Sequence, residues 1–126
     1  MEISYRKMAD LDGAIRALDQ VKDLPIPLRI RRIMLVNQEA INPAVVAYNR
    51  RLQEAMRDAR NEMHEKGWGD EMLMPLVDQR MAKEADQTED IGLATFDASE
   101  ISDANWKKIP LAVEMGLRPI LIYEES

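Results

Sequence analysis

Asp97 and Glu100 are the best-placed pair of carboxylates in the sequence, since they follow a β-like segment running from Ile91 to Phe96. Two positioned acids suffice for glycosidic cleavage or magnesium-assisted phosphoryl chemistry, which makes a carboxylate-based, metal-dependent hydrolase one reading of this chain. The competing reading is structural, because acids at strand ends commonly serve as turn residues and helix caps. His64 is the only histidine, and any Ser-His-Asp triad would have to be built around it. It sits among Glu62, Glu65 and Lys66 in a helical stretch, where an exposed polar residue is the simpler expectation. Cysteine is absent, which removes thiolate catalysis, disulfides and cysteine-based metal sites. The sequence also lacks G-x-S-x-G, G-x-G-x-x-G, a Walker loop and H-E-x-x-H. Asp86, Glu89 and Asp90 lack the glycine and closing glutamate of a calcium loop. The chain is therefore expected to be noncatalytic, with no catalytic residues, no metal site and no cofactor.

Arginines and tryptophans are the better candidates for binding. Arg29, Arg31 and Arg32 open a long helical segment, and Arg50, Arg51, Arg57 and Arg60 decorate its second half. On a 3.6-residue period Arg50 and Arg57 share one face, while Arg29 and Arg32 share another. Guanidinium groups grip phosphates and carboxylates bidentately, so such clusters suit a nucleotide or other small anion, a nucleic acid, or an acidic protein surface. Against this stands neutralisation by Glu54, Asp58 and Glu62 as ordinary surface pairs. Trp68 and Trp106 stand out in a chain only 5% aromatic, and an exposed tryptophan would mark a contact surface. The candidate partner- or anion-binding set is Arg29, Arg32, Arg50, Arg51, Arg57, Trp68 and Trp106.

These residues must be positioned by a small number of elements. Glu2 to Lys7 alternates like a short half-buried strand, and Asp10 stands where the N-cap of a first helix belongs, with Leu11, Ile15 and Leu18 inward and an end near Lys22. Leu24-Pro25-Ile26-Pro27 reads as a rigid connector. From Leu28 onward Ile30, Ile33, Met34, Ile41, Val45, Tyr48, Leu52, Met56, Ala59 and Met63 recur at three-and-four spacing. Asn42-Pro43 either caps a new helix or bends one long helix, and the unbroken apolar register favours the single bent element. Gly67-Trp68-Gly69 ends it. Pro75 to Ala85 then forms a short helix with Leu76, Val77 and Met81 inward, followed by an acidic loop from Asp86 to Asp90. Ser102 caps a helical turn through Trp106, Pro110 opens another helix that Gly116 closes, and Arg118 to Tyr123 is a last strand with Ile120 and Ile122 on one face. The predicted fold is α+β, mostly helical, a single domain over 1–126 with one long helix and a small sheet formed by N- and C-terminal strands.

The 46% hydrophobic content supplies an aliphatic, methionine-rich core. A net charge of -6 disfavours nucleic-acid binding, which needs a cationic face. The charge is split: Pro25 to Lys66 carries eight Lys/Arg against five Asp/Glu, whereas Gly67 to Asn105 carries two against ten. Opposite lobes of this kind favour self-association. A helix of about 38 residues would span about 55 Å, against about 30 Å for a compact globule of this size. The row from Ile30 to Met63 is thus expected to need a second molecule, which points to a homo-oligomer formed through the long helix. Neither a signal-peptide core nor an apolar run of roughly 18 residues occurs, so a cytoplasmic protein away from membranes is expected.

The segment LPIPLRIRRIMLVNQEAINPAVVAYNRRLQEAMRDARNE, after a leading strand and helix and before a closing PLAVEMGLRPILIYEE, resembles a loose group of small phage and prophage accessory proteins. In that group a Leu-Pro step precedes a long helix with an asparagine and a downstream tyrosine, here Leu24-Pro25, Asn37 and Tyr48. The chain departs from it in having Pro43 within the helix and a shorter, more acidic middle. The resemblance implies a mobile-element protein of a bacterial host that acts by stoichiometric binding, either inhibiting a host defence component or sequestering an anionic signal. A virion assembly chaperone for head or tail parts is the runner-up reading.

Overall fold

The computed structural model describes residues 1–123. Its elements in chain order are β1 (Glu2–Ser4), α1 (Tyr5–Leu18), α2 (Leu28–Lys66), α3 (Leu73–Asp86), β2 (Thr88–Asp90), β3 (Phe96–Asp97), α4 (Asp103–Trp106), α5 (Leu111–Leu117) and β4 (Leu121–Ile122), with 3-10 turns at Asp70–Met72, Ala98–Glu100 and Arg118–Ile120. The chain is α+β and predominantly helical, with its small amount of sheet in two separate strand pairs, one holding the N-terminal strand and the other the C-terminal one. β1 pairs antiparallel with β2, and β3 pairs parallel with β4. No helix among the described residues is long and apolar enough to cross a membrane.

The first helix begins five residues before Asp10. Ser4 ends β1 and caps α1, its hydroxyl accepting from the Lys7 amide at 3.2 Å. Met8 thereby joins Leu11, Ile15 and Leu18 in the buried stripe, and the helix ends at Leu18 rather than Lys22. The Asp86–Asp90 stretch contains a strand that its acidic, exposed side chains hid, because β2 is held by backbone pairing to β1. The β-like segment from Ile91 shrinks to Phe96–Asp97. At the C-terminal side Pro119 lies in a 3-10 turn, so Ile120 and Leu121 are buried while Ile122 is exposed, and the expected alternation fails. Glu124 and Glu125, the acidic residues of the closing segment, lie outside the described residues.

α2 is one helix of 39 residues that passes through Pro43 without interruption. Pro43 is exposed, so the Glu39 carbonyl that loses its helical donor is on the side where water can replace it. Gly67 closes the helix in the left-handed conformation at φ 67°, and the Trp68 amide returns to the Met63 carbonyl at 2.9 Å. The apolar row is covered within its own subunit, which corrects the expectation that a second molecule must cover it. Ile30, Met34, Ile41 and Val45 join α1, α5 and Phe96 in one core, and Ala55, Ala59 and Met63 join Leu76, Val77 and Met81 of α3 in a second. Ile33, Tyr48, Leu52 and Met56 are partly buried against these clusters. The compactness estimate misled because it assumed one round core, whereas here two small cores lie in series along one helix. Tyr5 stacks on Tyr48 between them, with ring centroids 6.5 Å apart and planes 3° from parallel.

Gly116 does not close α5 but lies inside it, where the packing requires it. A β-carbon there would sit 2.7 Å from the Ala14 Cβ and 2.9 Å from the Asp10 carbonyl oxygen, so the glycine lets α5 rest directly on α1.

Asn37 is the one fully buried polar residue in the core of the described residues. Its Oδ1 accepts from the Ala94 amide at 2.8 Å, and its Nδ2 donates to the Ala94 carbonyl at 2.9 Å. The side-chain amide thus supplies the pairing that an adjacent strand would have given. Replacing Asn37 by Leu should leave both Ala94 groups unpaired and cost about 3 kcal/mol in urea unfolding. Pro43→Ala should act oppositely, restoring a helical hydrogen bond and raising stability by about 1 to 3 kcal/mol in the same assay.

Candidate binding surface on the long helix

With one side of α2 committed to the two cores, its opposite side faces solvent along the whole length. Leu28, Leu35 and Val46 fall within about 20° of a single line on that side, and Val36 lies beside it. Their side chains are 63%, 57%, 48% and 55% exposed in the order Leu28, Leu35, Val46, Val36. Isolated exposed aliphatics are ordinary, but a line of them on a helix whose core face is already filled is not. Next to this line is a surface cleft of about 450 Å³ lined by Leu28, Arg29, Arg32, Ile33, Val36, Ala94 and Thr95. Its outer wall is the segment that Asn37 clamps. Sequence reasoning missed Leu35, Val36 and Val46 because the dominant apolar row absorbed the periodicity; the weaker signal was a second line at spacings of seven and eleven.

The arginines are not gathered into one site. Arg29 reaches across to Glu100 in an ion pair. Glu100 also accepts from the Asp97 amide at 3.0 Å, and Asp97 caps the Ala98–Glu100 turn reciprocally. Asp97 and Glu100 are thereby engaged as a capping box that Arg29 latches to the first turn of α2. Arg32 lines the cleft and Arg50 is exposed, neither with an ion pair among the described residues. Arg51 turns toward α3 and lies 3.7 Å from Glu84, while Arg57 lies 3.9 Å from its neighbour Asp58. Arg32 and Arg50 are separated by 18 residues, or about 27 Å of helix, too far to hold one small anion together. The second half of the solvent side carries Arg50, Arg57 and Arg60 together with the exposed Glu54, Asp58 and Glu65.

The two tryptophans separate as well. Trp106 is half-buried against the first core and donates from Nε1 to the Ala98 carbonyl at 2.8 Å, so it supports the fold rather than marking a contact surface. Trp68 is 39% exposed beyond the far end of α2, with the Lys66 ammonium 4.6 Å from its ring centroid. His64 is exposed. Among the described residues no three acidic or histidine side chains cluster closely enough to hold a metal ion.

The split charge of the sequence is partly resolved inside the subunit, because the acidic segment folds α3 along the cationic half of α2. Glu62 illustrates this, accepting from Lys66 at 2.8 Å and from Arg80 of α3 at 2.9 Å. It therefore does not neutralise the outer arginines. No family model matches the chain, and no similar protein is found among curated proteins or solved structures.

The hydrogen bond from Lys66, followed by that from Arg80, holds the Glu62 carboxyl below its ordinary value of 4.5. A carboxyl lowered in the folded chain contributes stability above the unfolded value and loses it as pH falls through the folded one. Glu62→Gln should therefore flatten the acid side of the stability profile below 4.5 while leaving its shape near neutrality unchanged. Adding salt to about 0.5 M should shrink the difference between the two proteins, since an exposed pair is screened.

Proposed function

We propose that this chain is a noncatalytic accessory protein that acts by occupancy, covering a partner protein with the solvent side of α2. The observation that carries this reading is the exposed line of Leu28, Leu35 and Val46, with Val36 beside it, on a helix whose other side already serves two cores. From Leu28 to Arg60 this side is about 50 Å long and about 10 Å wide, a footprint on the order of 500 Å². That is near the lower end for a specific interface, so the adjoining cleft at Ala94 and Thr95 belongs to the same footprint. The partner that fits is elongated, apolar where it meets Leu35 and Val46, and mixed in charge where it meets Arg50, Glu54 and Arg57.

A large protein partner suits this layout better than a small anionic signal, given the separation of the arginines. The resemblance to phage and prophage accessory proteins supports reading the partner as a protein of a bacterial host, with inhibition of a defence component as the proposed consequence of occupancy. An assembly chaperone would present the same aliphatic line to an immature virion subunit. Neighbouring tail genes favour the chaperone, and neighbouring early or anti-defence genes favour the inhibitor.

The test is capture from bacterial host extract by the wild type and by a Leu35→Asp, Val46→Asp double variant. Both positions are exposed, so the thermal midpoint should move by no more than a few degrees, in keeping with surface substitutions worth about 0.5 kcal/mol each. A protein held stoichiometrically by the wild type should be lost by the variant. Equal capture by both, or substrate turnover by the purified chain, would overturn the reading.

A further inference from the structure

The nine methionines are distributed unevenly, and no cysteine accompanies them, so all the sulfur in this chain is thioether. Met1, Met74 and Met115 are more than half exposed, and Met8 and Met34 are buried in the larger first core. The other four, Met56, Met63, Met72 and Met81, lie in or against the smaller second core. Helix propensity does not call for them there, since leucine serves a helix as well and packs with better-defined rotamers. A core that leans so heavily on thioethers is soft, and its sulfurs can be oxidised. Their exposure is graded. Met63 and Met81 are 7% and 5% exposed, whereas Met56 on α2 and Met72 at the entry to α3 are only partly buried. An oxidant in water therefore meets Met56 and Met72 before it meets the interior pair. The Arg80–Glu62 and Arg51–Glu84 ion pairs, at 2.9 and 3.7 Å, add little to the hold on α3, because exposed pairs are weak. Beyond its C-terminal end α3 leads into β2, which backbone pairing to β1 keeps in place.

We propose that the second core is an oxidant-sensitive latch, released by hydroperoxides at Met56 and Met72. The sulfur lone pair of each thioether forms a new S–O bond as the peroxide O–O bond breaks. The sulfur is oxidised to the sulfoxide, and the peroxide is reduced, leaving as water when it is hydrogen peroxide. Each sulfoxide brings a polar S=O group into a cluster whose buried members are all apolar, so it must turn out to water or stay unpaired. Either course removes packing between α2 and α3. The Met72 end of α3 then comes away from α2 while β2 holds the other end. Met63 and Met81 become accessible in turn, and their oxidation completes the release. Met8 and Met34 remain thioethers, because the first core stays closed. Sulfoxide reductases reverse the chemistry and reset the latch. Leu28, Leu35, Val36 and Val46 take no part, so this inference is independent of the function proposed above.

The test is a titration of the full chain with hydrogen peroxide, in which peptide mass mapping locates the sulfoxides and brief trypsin digestion reads the state of each core. Met1, Met74 and Met115 should oxidise first and without consequence, since their side chains already face water. Once Met56 and Met72 carry oxygen, cleavage after Arg80 and Lys83 in α3 should quicken about tenfold, while cleavage after Arg16 in α1 keeps its starting rate. Treatment with sulfoxide reductases should restore the slow digestion. A Met56→Leu, Met72→Leu double variant keeps Met74 and nearly the same core volume, and it should hold the slow rate under the same peroxide. Oxidation of Met8 and Met34 in step with Met63 and Met81 would mean that the two cores open together, and would overturn the proposal. Unchanged cleavage with both sulfoxides present, or equal loosening of the double variant, would eliminate it as well.

Discussion

The buried amide of Asn37 is the interaction on which the arrangement of the first core depends. A polar side chain fully removed from water is tolerated only when its hydrogen bonds are made, and Asn37 makes one with its oxygen and one with its nitrogen to the same backbone residue. The consequence reaches beyond the pair itself. Residues 91–95 lie between β2 and β3 with little regular structure of their own, and Ala94 is where they are fastened to α2. Fastening them there sets Phe96 into the core and β3 beside β4, and it also forms the outer wall of the cleft next to Leu28 and Val36.

The second constraint is that one helix serves two cores. α1 packs on the first half of α2 and is itself backed by α5, while α3 covers the second half, with Tyr5 stacked on Tyr48 where the two meet. Polar links then hold α3 in place, from Arg51 to Glu84 and from Glu62 to Arg80. β2, directly after α3, ties the chain back to β1 beside the start of α1. Folding the acidic segment along the cationic one uses much of the charge asymmetry internally, and what remains outward is the arginine-bearing solvent side of α2.

What could be read from the sequence was whatever rested on strong periodicity or on special backbone chemistry. The long apolar row, the stop at Gly67, the inward trio of Leu76, Val77 and Met81, and the Ser102 cap all follow from such signals. β2 could not be read because its exposed Thr88, Glu89 and Asp90 carry no hydrophobic alternation, and its partner is 86 residues away in register at Ile3 and Glu89. The role of Asn37 was equally hidden, since an asparagine in a helix gives no sign of which distant backbone group it will meet. For the candidate surface, the arginines could be located but not their fates. Arg29 and Arg51 are drawn to Glu100 and Glu84 by tertiary contacts, and only the structure shows that Leu35 and Val46 face away from both cores.

The unequal sizes of the two cores shape how the molecule comes apart. Among the described residues, eighteen buried ones make up the first and six the second, and both draw on the same helix. Cooperative opening units in proteins tend to follow such boundaries, and the smaller one opens at lower free energy. Amide hydrogens of α3 and of the Ala55–Met63 stretch are therefore expected to exchange through a partial opening in which α3 swings off while the first core stays closed. In such an open form the helix past Tyr48 would stand bare on both sides, its charged and aliphatic faces reachable from every direction at once.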